Sequence, residues 1–370
     1  MIENSKTKNK SVFVTGIFRS GTTLLSRSLS VNPKIVVPYQ IFFAFFKMWR
    51  NLFFERVVKN QTLSGYPMGS NALLDCGAFD EFCRSNSTIN FTNSDVLKLQ
   101  AVLSGQFERD SHEKPNMRSG LFDNIKSGTA EEILLQLIEK LPRIYGRDPE
   151  YLGFKEIWCE EFAFPLLNCK KIDIKVTMVI RDPRGVLASR NTGRYLRSCE
   201  EKKYPLIFVA EAWKRSVTIA KSLSPNKNFY MLKYEDLIDG PEKKLKDISV
   251  FLGVNFISQM ADPRYFTDDK GNVWQPNTTT DDASCKFNKT PVSYWQKALS
   301  GEEVGAMEFL CAEQMRELKY RLKFERKKAE ELFMGYHENE DEIQPWLVPF
   351  GYVCDEHRKD IELKKAKRGS

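Results

Sequence analysis

Residues 11–25 read Ser11-Val12-Phe13-Val14-Thr15-Gly16-Ile17-Phe18-Arg19-Ser20-Gly21-Thr22-Thr23-Leu24-Leu25. A β-rich run stops at Gly16, and from Thr22 the pattern changes to helical, with Leu24, Leu25 and Leu29 on one side. Strand, glycine turn, helix is the order of a phosphate-binding loop. Backbone N–H groups of the turn and of the first helical residues face one point and favour an anion there. Gly16 and Gly21 permit the tight turn, and Thr22 and Thr23 add hydroxyls. The Gly-x4-Gly spacing matches the loop of nucleoside triphosphatases, which continues Gly-Lys-Ser/Thr. Here Thr22 follows Gly21, and the cation is Arg19, two residues before that glycine. A loop with this geometry and no lysine argues against Mg-ATP hydrolysis.

The remaining chain alternates in the same way. Lys34–Pro38 reads as a second strand, and residues 39–60 read as a helix that is apolar almost all round. Residues 60–128, rich in Ser, Asn and Gly, read as an irregular insertion that carries loops rather than core. A helix is expected over 130–141 and a short strand over 151–155. The near-continuous apolar run Ile174–Ile180 has the character of a central parallel strand buried on both faces. Helices at about 184–192 and 206–223, a strand at 228–233 and a helix at 241–252 follow. Residues 255–294 read as a long loop, 301–320 as a helix, and the chain from 325 as a charged helix with a frayed end. This pattern predicts a three-layer α/β fold: a mainly parallel central sheet with helices on both faces and a P-loop-type nucleotide site. One domain is expected over 1–325, with 326–370 as a charged extension.

A second motif ends the buried strand: Arg181-Asp182-Pro183-Arg184-Gly185-Val186-Leu187-Ala188-Ser189-Arg190. In open α/β sheets ligands sit beyond the carboxyl ends of strands. Arg181 is at such an end, Pro183 suits the first position of a helix, and Ser189 lies about two turns into it. A strand-end guanidinium and a helical hydroxyl can hold one phosphate from two sides. The competing reading pairs an arginine of this run with Asp182 or another acid as a structural clamp.

Together the motifs resemble the sulfotransferases that use 3′-phosphoadenosine 5′-phosphosulfate (PAPS). Phe18 to Leu24 is similar to that family's 5′-phosphosulfate loop, and Arg181 to Ser189 to its 3′-phosphate site. The Arg-bearing branch, which includes carbohydrate and tyrosylprotein sulfotransferases, is closer than the Lys-bearing cytosolic one. Tyr234-Glu235-Asp236-Leu237, Pro241 and Phe251-Leu252-Gly253 extend the likeness, which covers about residues 11–45 and 150–320. Lys289 and Trp295 lie where a C-terminal loop of the family closes over the cofactor. The resemblance implies that Arg19, Ser20, Gly21, Thr22 and Thr23 cradle the 5′-phosphosulfate and that Arg181 and Ser189 bind the 3′-phosphate. It assigns Tyr234 either to the adenine or to the core, and Lys289 either to a phosphate or to solvent. It also implies that Lys155, in Phe154-Lys155-Glu156, contacts the transferring sulfate, with PAP as product and no metal required.

Related carbohydrate and tyrosylprotein enzymes have a glutamate after the second strand as general base. In Pro38-Tyr39-Gln40-Ile41-Phe42 the corresponding position is Gln40, and a neutral amide cannot take the proton. Glu156 is the first substitute, ahead of His112 and the acids Asp75, Asp80 and Glu81. An amine or guanidine acceptor would need less help, and a protein that binds PAPS without turnover would need none. Gln40 and Phe42 are the candidate acceptor contacts. The expected activity is transfer of the sulfuryl group from PAPS to a hydroxyl or an amine or guanidine of a small molecule or carbohydrate. The alternatives are a P-loop kinase or nucleoside triphosphatase and a non-catalytic PAPS-binding protein.

Composition narrows the field. Among 370 residues, 42% are hydrophobic and 28% charged, which excludes collagen-like and wholly disordered chains. A net charge of +7 suits an anionic small molecule or a glycan and is too weak to argue for nucleic acid. Eight cysteines contain no C-x-x-C pair, so reduced thiols are expected, and three scattered histidines give no metal pattern. No signal-peptide pattern opens the chain, and the apolar run Ile41–Phe54 is too short to span a bilayer and carries Lys47 and Arg50, so a cytoplasmic location is expected.

Overall fold

The computed structural model describes residues 9–85, 88–109, 122–142, 149–190, 202–274 and 287–350. They form two compact units, one from residues up to 180 with 219–274 and 287–288, the other from 181–190, 202–218 and 289–350. The division falls at Arg181 rather than at the expected residue 325.

The first unit is built on a parallel sheet. Its strands are β1 (Asn9–Gly16), β2 (Ile35–Val36), β5 (Tyr151–Leu152), β6 (Phe154–Ile157), β7 (Ile172–Ile180) and β8 (Phe229–Lys233). The order is β2-β5-β1-β7-β8, with β6 also paired to β1. β3 (Asn90–Phe91) and β4 (Gly128–Thr129) form a separate antiparallel pair. The central strands are apolar because both faces are covered: Val12, Phe13, Val14, Val176, Met178, Val179 and Ile180 are wholly buried. Register aligns Val14 with Lys155, Thr15 with Glu156, and Thr15 with Met178. The carboxyl ends of β1, β6 and β7 therefore lie side by side at one edge of the sheet, and the turn 16–21 leaves β1 at that edge.

Helix α1 (Thr22–Ser30) follows the turn, and α2 (Phe43–Phe53) replaces most of the expected helix 39–60, continuing through one π-helical segment, Phe54–Val58. α2 is largely apolar because one broad face is interior, with Phe45, Phe46, Trp49, Leu52 and Phe53 buried and Lys47 exposed. Phe46 stacks on Phe13 at 5.7 Å and meets Phe162 edge-on at 4.8 Å, and Trp49 lies 5.2 Å from Phe162. Phe42 is fully buried against Phe154 at 5.7 Å. Phe42 is thus a core residue, which corrects its expected role as an acceptor contact.

The stretch 60–128 also departs from expectation. It contains a 17-residue helix, Asn93–Arg109, and it supplies core: Phe82, Leu99 and Leu103 are wholly buried, and Phe82 meets Phe53 edge-on at 5.1 Å. His112 lies outside the described residues.

In the second unit the helix Gly301–Glu317 packs on Arg326–Gly335, with Phe309 stacked on Phe333 at 5.3 Å and Phe333 wholly buried. Residues 326–350 belong to this unit and are not a free extension. Cys76, Cys83, Cys159, Cys169 and Cys311 are free thiols. Among the described residues no helix is long and apolar enough to cross a membrane.

Candidate active site

The turn after β1 is held by its own residues. Ser20 is wholly buried, and its hydroxyl donates to the Ile17 carbonyl at 2.6 Å, while its N–H donates to the same oxygen at 3.3 Å. The Ser20 proton is therefore committed to shaping the loop. Arg19 takes a left-handed conformation, φ 62°, and Gly21 does so at φ 99°. A side chain at Gly21 would run into the Tyr234 ring, so only glycine serves both the backbone and that close approach. Tyr234 itself is buried and packs on the loop. α1 then begins at Gly21 with no side-chain cap and no acid in its first turn. Uncapped N–H groups and the positive end of the helix dipole make this terminus receptive to an anion. Thr22 is buried and Thr23 half-buried at the same place.

Beside the loop, Lys155 and Glu156 stand at the end of β6. Both are essentially inaccessible, at 1% and 0%. The Lys155 ammonium lies over the Tyr39 ring, 4.0 Å from its centre, a contact that holds a desolvated cation by the ring's negative face. Glu156 Oε1 accepts from the Phe42 N–H at 2.6 Å. Gln40 is half-exposed with φ 46°, and its N–H donates to the Lys155 carbonyl at 3.0 Å. Trp158 follows β6 with φ 63° and stacks on Phe18 at 4.9 Å. Among the described residues, Arg19, Gln40 and Trp158 are three of the six non-glycine residues with positive φ. Such conformations gather where the surroundings fix a functional geometry. Asp269 completes this neighbourhood: it pairs with Arg27 of α1 and accepts from the Tyr39 N–H at 2.9 Å.

The second motif belongs to the other unit. Asp182 caps the helix Pro183–Leu187, accepting from the Arg184 N–H at 2.9 Å, and Pro183 occupies its first turn as expected. The clamp on Asp182 is Arg184, not Arg181. Arg184 bonds Asp182 at 2.6 Å and Glu308 at 2.6 Å, and lies 3.9 Å over the Trp295 ring. Burial opposes its charge, but the two carboxylates hold its pKa above the ordinary value. Arg181 is buried, donates to the Pro291 carbonyl at 2.6 Å, and its own carbonyl accepts from the Trp213 indole at 2.8 Å. That contact brings the segment opened by Lys289, itself exposed, to Arg181. Ser189 is buried in the same unit.

Arg27, Tyr39, Trp158 and Asp269 were not singled out by the sequence. Asp269 lies 230 positions from Tyr39, and no local pattern marks such a partner. The half-hidden signal was Trp158-Cys159-Glu160-Glu161, a bulky and acidic run directly after a strand. The Cys159 thiol is pushed well up by burial, helped by the neighbouring glutamates, which favours its protonated form.

Residues 164–319 match the model of the sulfotransferase domain family. Among curated proteins it is 28% identical to human carbohydrate sulfotransferase 1 over 182 residues, 42% of this chain and 41% of that protein. It is 23% identical to mouse carbohydrate sulfotransferase 4 over 212 residues, 50% of this chain and 51% of that protein. The chain thus spans about half or less of the length of the curated relatives it matches. Its fold is that of the sulfotransferase domain from the Synechococcus PCC 7002 olefin synthase, with TM-score 0.50, 16% identity, and 86% of this chain and 98% of that chain covered. The family match contains Arg181, Ser189, Tyr234 and Lys289 but not the turn 16–21, which stands on its own geometry.

Proposed function

We propose that this protein transfers the sulfuryl group of PAPS to a carbohydrate or small-molecule acceptor. The observation that carries the reading is the turn 16–21: a glycine-dependent, left-handed loop leading into an uncapped helix, with Arg19 and no lysine where a triphosphatase loop has one. The residues fit a 5′-phosphosulfate, since the loop leaves backbone donors and threonine hydroxyls for an anion.

PAPS supplies an activated sulfuryl group on a phosphate leaving group. Arg19, Thr22, Thr23 and the loop N–H groups bind the 5′ end; Arg181 and Ser189 bind the 3′-phosphate, with Lys289 beside them. Lys155 and Arg19 would stabilise the negative charge left on the 5′-phosphate oxygen when the acceptor oxygen bonds to sulfur in its place, and the acceptor proton would pass to that phosphate or to solvent. Preorganised positive charge and in-line positioning do most of such catalysis. Gln40 orients the acceptor, donating and accepting hydrogen bonds through its amide.

Binding of PAP measured by calorimetry with and without Mg²⁺, against ATP, tests the reading. Micromolar, metal-independent PAP binding with no ATP binding supports it, and the reverse pattern overturns it. Release of PAP from PAPS in the presence of a carbohydrate panel separates turnover from binding alone.

A further inference from the structure

The turn Tyr39–Phe42 is fastened at three successive points. The Tyr39 N–H donates to Asp269 Oδ2 at 2.9 Å, the Gln40 N–H to the Lys155 carbonyl at 3.0 Å, and the Phe42 N–H to Glu156 Oε1 at 2.6 Å. Between them Gln40 is held at φ 46°, a conformation an ordinary side chain adopts only when its surroundings impose it. Two of the three acceptors are buried carboxylates: Glu156 is wholly inaccessible and the Asp269 side chain is 2% exposed. Burying a carboxylate is costly unless it is hydrogen-bonded or paired. Each is placed here on the backbone of one four-residue turn.

Asp269 reaches the turn from a small hairpin. Thr267 pairs with Val273, and Asp268 ties its tip by accepting from the Lys270 and Asn272 N–H groups at 2.9 and 2.8 Å. Asp269 also pairs with Arg27, which sits in the last turn of α1. The same carboxylate thus links the helix that opens at Gly21 to the turn that carries Gln40. The Lys155 ammonium rests on the Tyr39 ring, so the turn also seats the cation assigned to the sulfate.

We infer that Glu156 and Asp269 are positioning residues that act through the Tyr39–Phe42 turn to hold Gln40 and Lys155 in register with the phosphate loop, and that Glu156 does not take the acceptor proton. This rests on the sulfotransferase reading for its catalytic part, while its structural part stands apart from it. Glu156 Oε1 is occupied by a backbone N–H, a bond a neutral amide oxygen makes equally well. A base and a positioning residue therefore answer differently to the same substitution.

The test compares Glu156→Gln, Glu156→Leu, Asp269→Asn and Gln40→Ala in two readouts. Hydrogen exchange of the peptide covering residues 39–46 reports the turn whether or not the protein turns over. Radiolabelled sulfuryl transfer from PAPS to p-nitrophenyl β-galactoside, with water as the default acceptor, reports catalysis. Glu156→Gln is expected to keep exchange protection and transfer within about tenfold. Glu156→Leu is expected to lose protection and about a hundredfold in transfer, as a displacement of about 1 Å does, while PAP binding changes less than about threefold. In the Gln40→Ala background Glu156→Leu costs less than it does alone, because part of its effect passes through Gln40. Both Asp269 oxygens accept, one from Arg27 and one from the Tyr39 N–H, and Asn has a single oxygen, so Asp269→Asn is expected to speed exchange in the turn and raise the acceptor KM more than it lowers kcat. Loss of transfer in Glu156→Gln with protection retained makes Glu156 the base and overturns the inference. So does unaltered exchange in Glu156→Leu, or full additivity with Gln40→Ala. If the wild type fails to bind PAP, the sulfotransferase reading falls while the exchange result still decides the positioning claim.

Discussion

The N-termini of α1 and of the helix Gly301–Glu317 solve the same problem in opposite ways. Ser300 accepts from the Glu303 N–H at 3.1 Å, and Glu303 reaches back to the Ser300 N–H at 2.9 Å. Thr129 and Glu132 form the same reciprocal box at the start of the helix Ala130–Ile138. At α1 the capping position is a glycine, no side chain accepts from the first turn, and no acid stands in it. Among the described helices the reciprocal box closes Ala130–Ile138 and Gly301–Glu317, but not α1. Caps of this kind contribute about 0.5–2 kcal/mol each. The missing cap at α1, beside a loop held in a left-handed conformation, is what the proposed reading uses as the place for an external anion.

Filling that open end should have the largest effect. Gly21→Val forces a side chain against Tyr234 at φ 99°, and PAP affinity should fall by about 100-fold or more, measured by calorimetry. A variant that binds PAP normally would show that the terminus is not the anion site. Arg181→Ala should come next, weakening PAP by about 10- to 100-fold through loss of a charged partner to the 3′-phosphate. Unchanged affinity would remove Arg181 from the site. The closed ends should respond in stability alone: Ser300→Ala should lower unfolding free energy by about 1 kcal/mol in urea titrations and leave PAP binding as it was.

The smallest effect concerns pH. The Lys171 partner and the bond from the Thr129 N–H hold the Glu132 carboxyl down at about 2, from an ordinary 4.5. The folded pKa lies below the unfolded one, so this contribution is complete above about 4.5 and is lost as pH falls toward 2. Because the pair is exposed, its weight is small. Glu132→Gln should flatten the acid limb of the urea midpoint between those pH values slightly, with no effect at pH 7.

The loop after β1 was legible because everything that makes it is local: a strand, two glycines and a helix within about fifteen residues. The helix Leu206–Leu223 and the stop of Pro241–Leu252 at Gly253 were legible for the same reason. The core contribution of residues 60–128 was hidden because Phe82, Leu99 and Leu103 are separated by polar runs and meet partners such as Phe53 and Phe162 far along the chain. Asp269 was illegible because its partners, Arg27 and Tyr39, lie more than 200 positions away. Glu156 was legible as a residue but not as a task. Its sequence neighbour Lys155 suggested chemistry, whereas its bond to the Phe42 N–H points to architecture. Among the arginines of the second motif, the clamp went to Arg184 because the helix start folds its side chain back onto Asp182.

The ring cage around Trp49 gives the two units separate optical signatures. Trp49, wholly buried among Phe45, Phe46 and Phe162, reports the first, and Trp213, equally inaccessible, lies in the second. Because the chain has six tryptophans, two variants are needed, one keeping only Trp49 and one keeping only Trp213, each giving a fluorescence and near-ultraviolet dichroism signal from a single unit. Melting curves recorded on that pair would reveal whether the halves come apart in one transition or two.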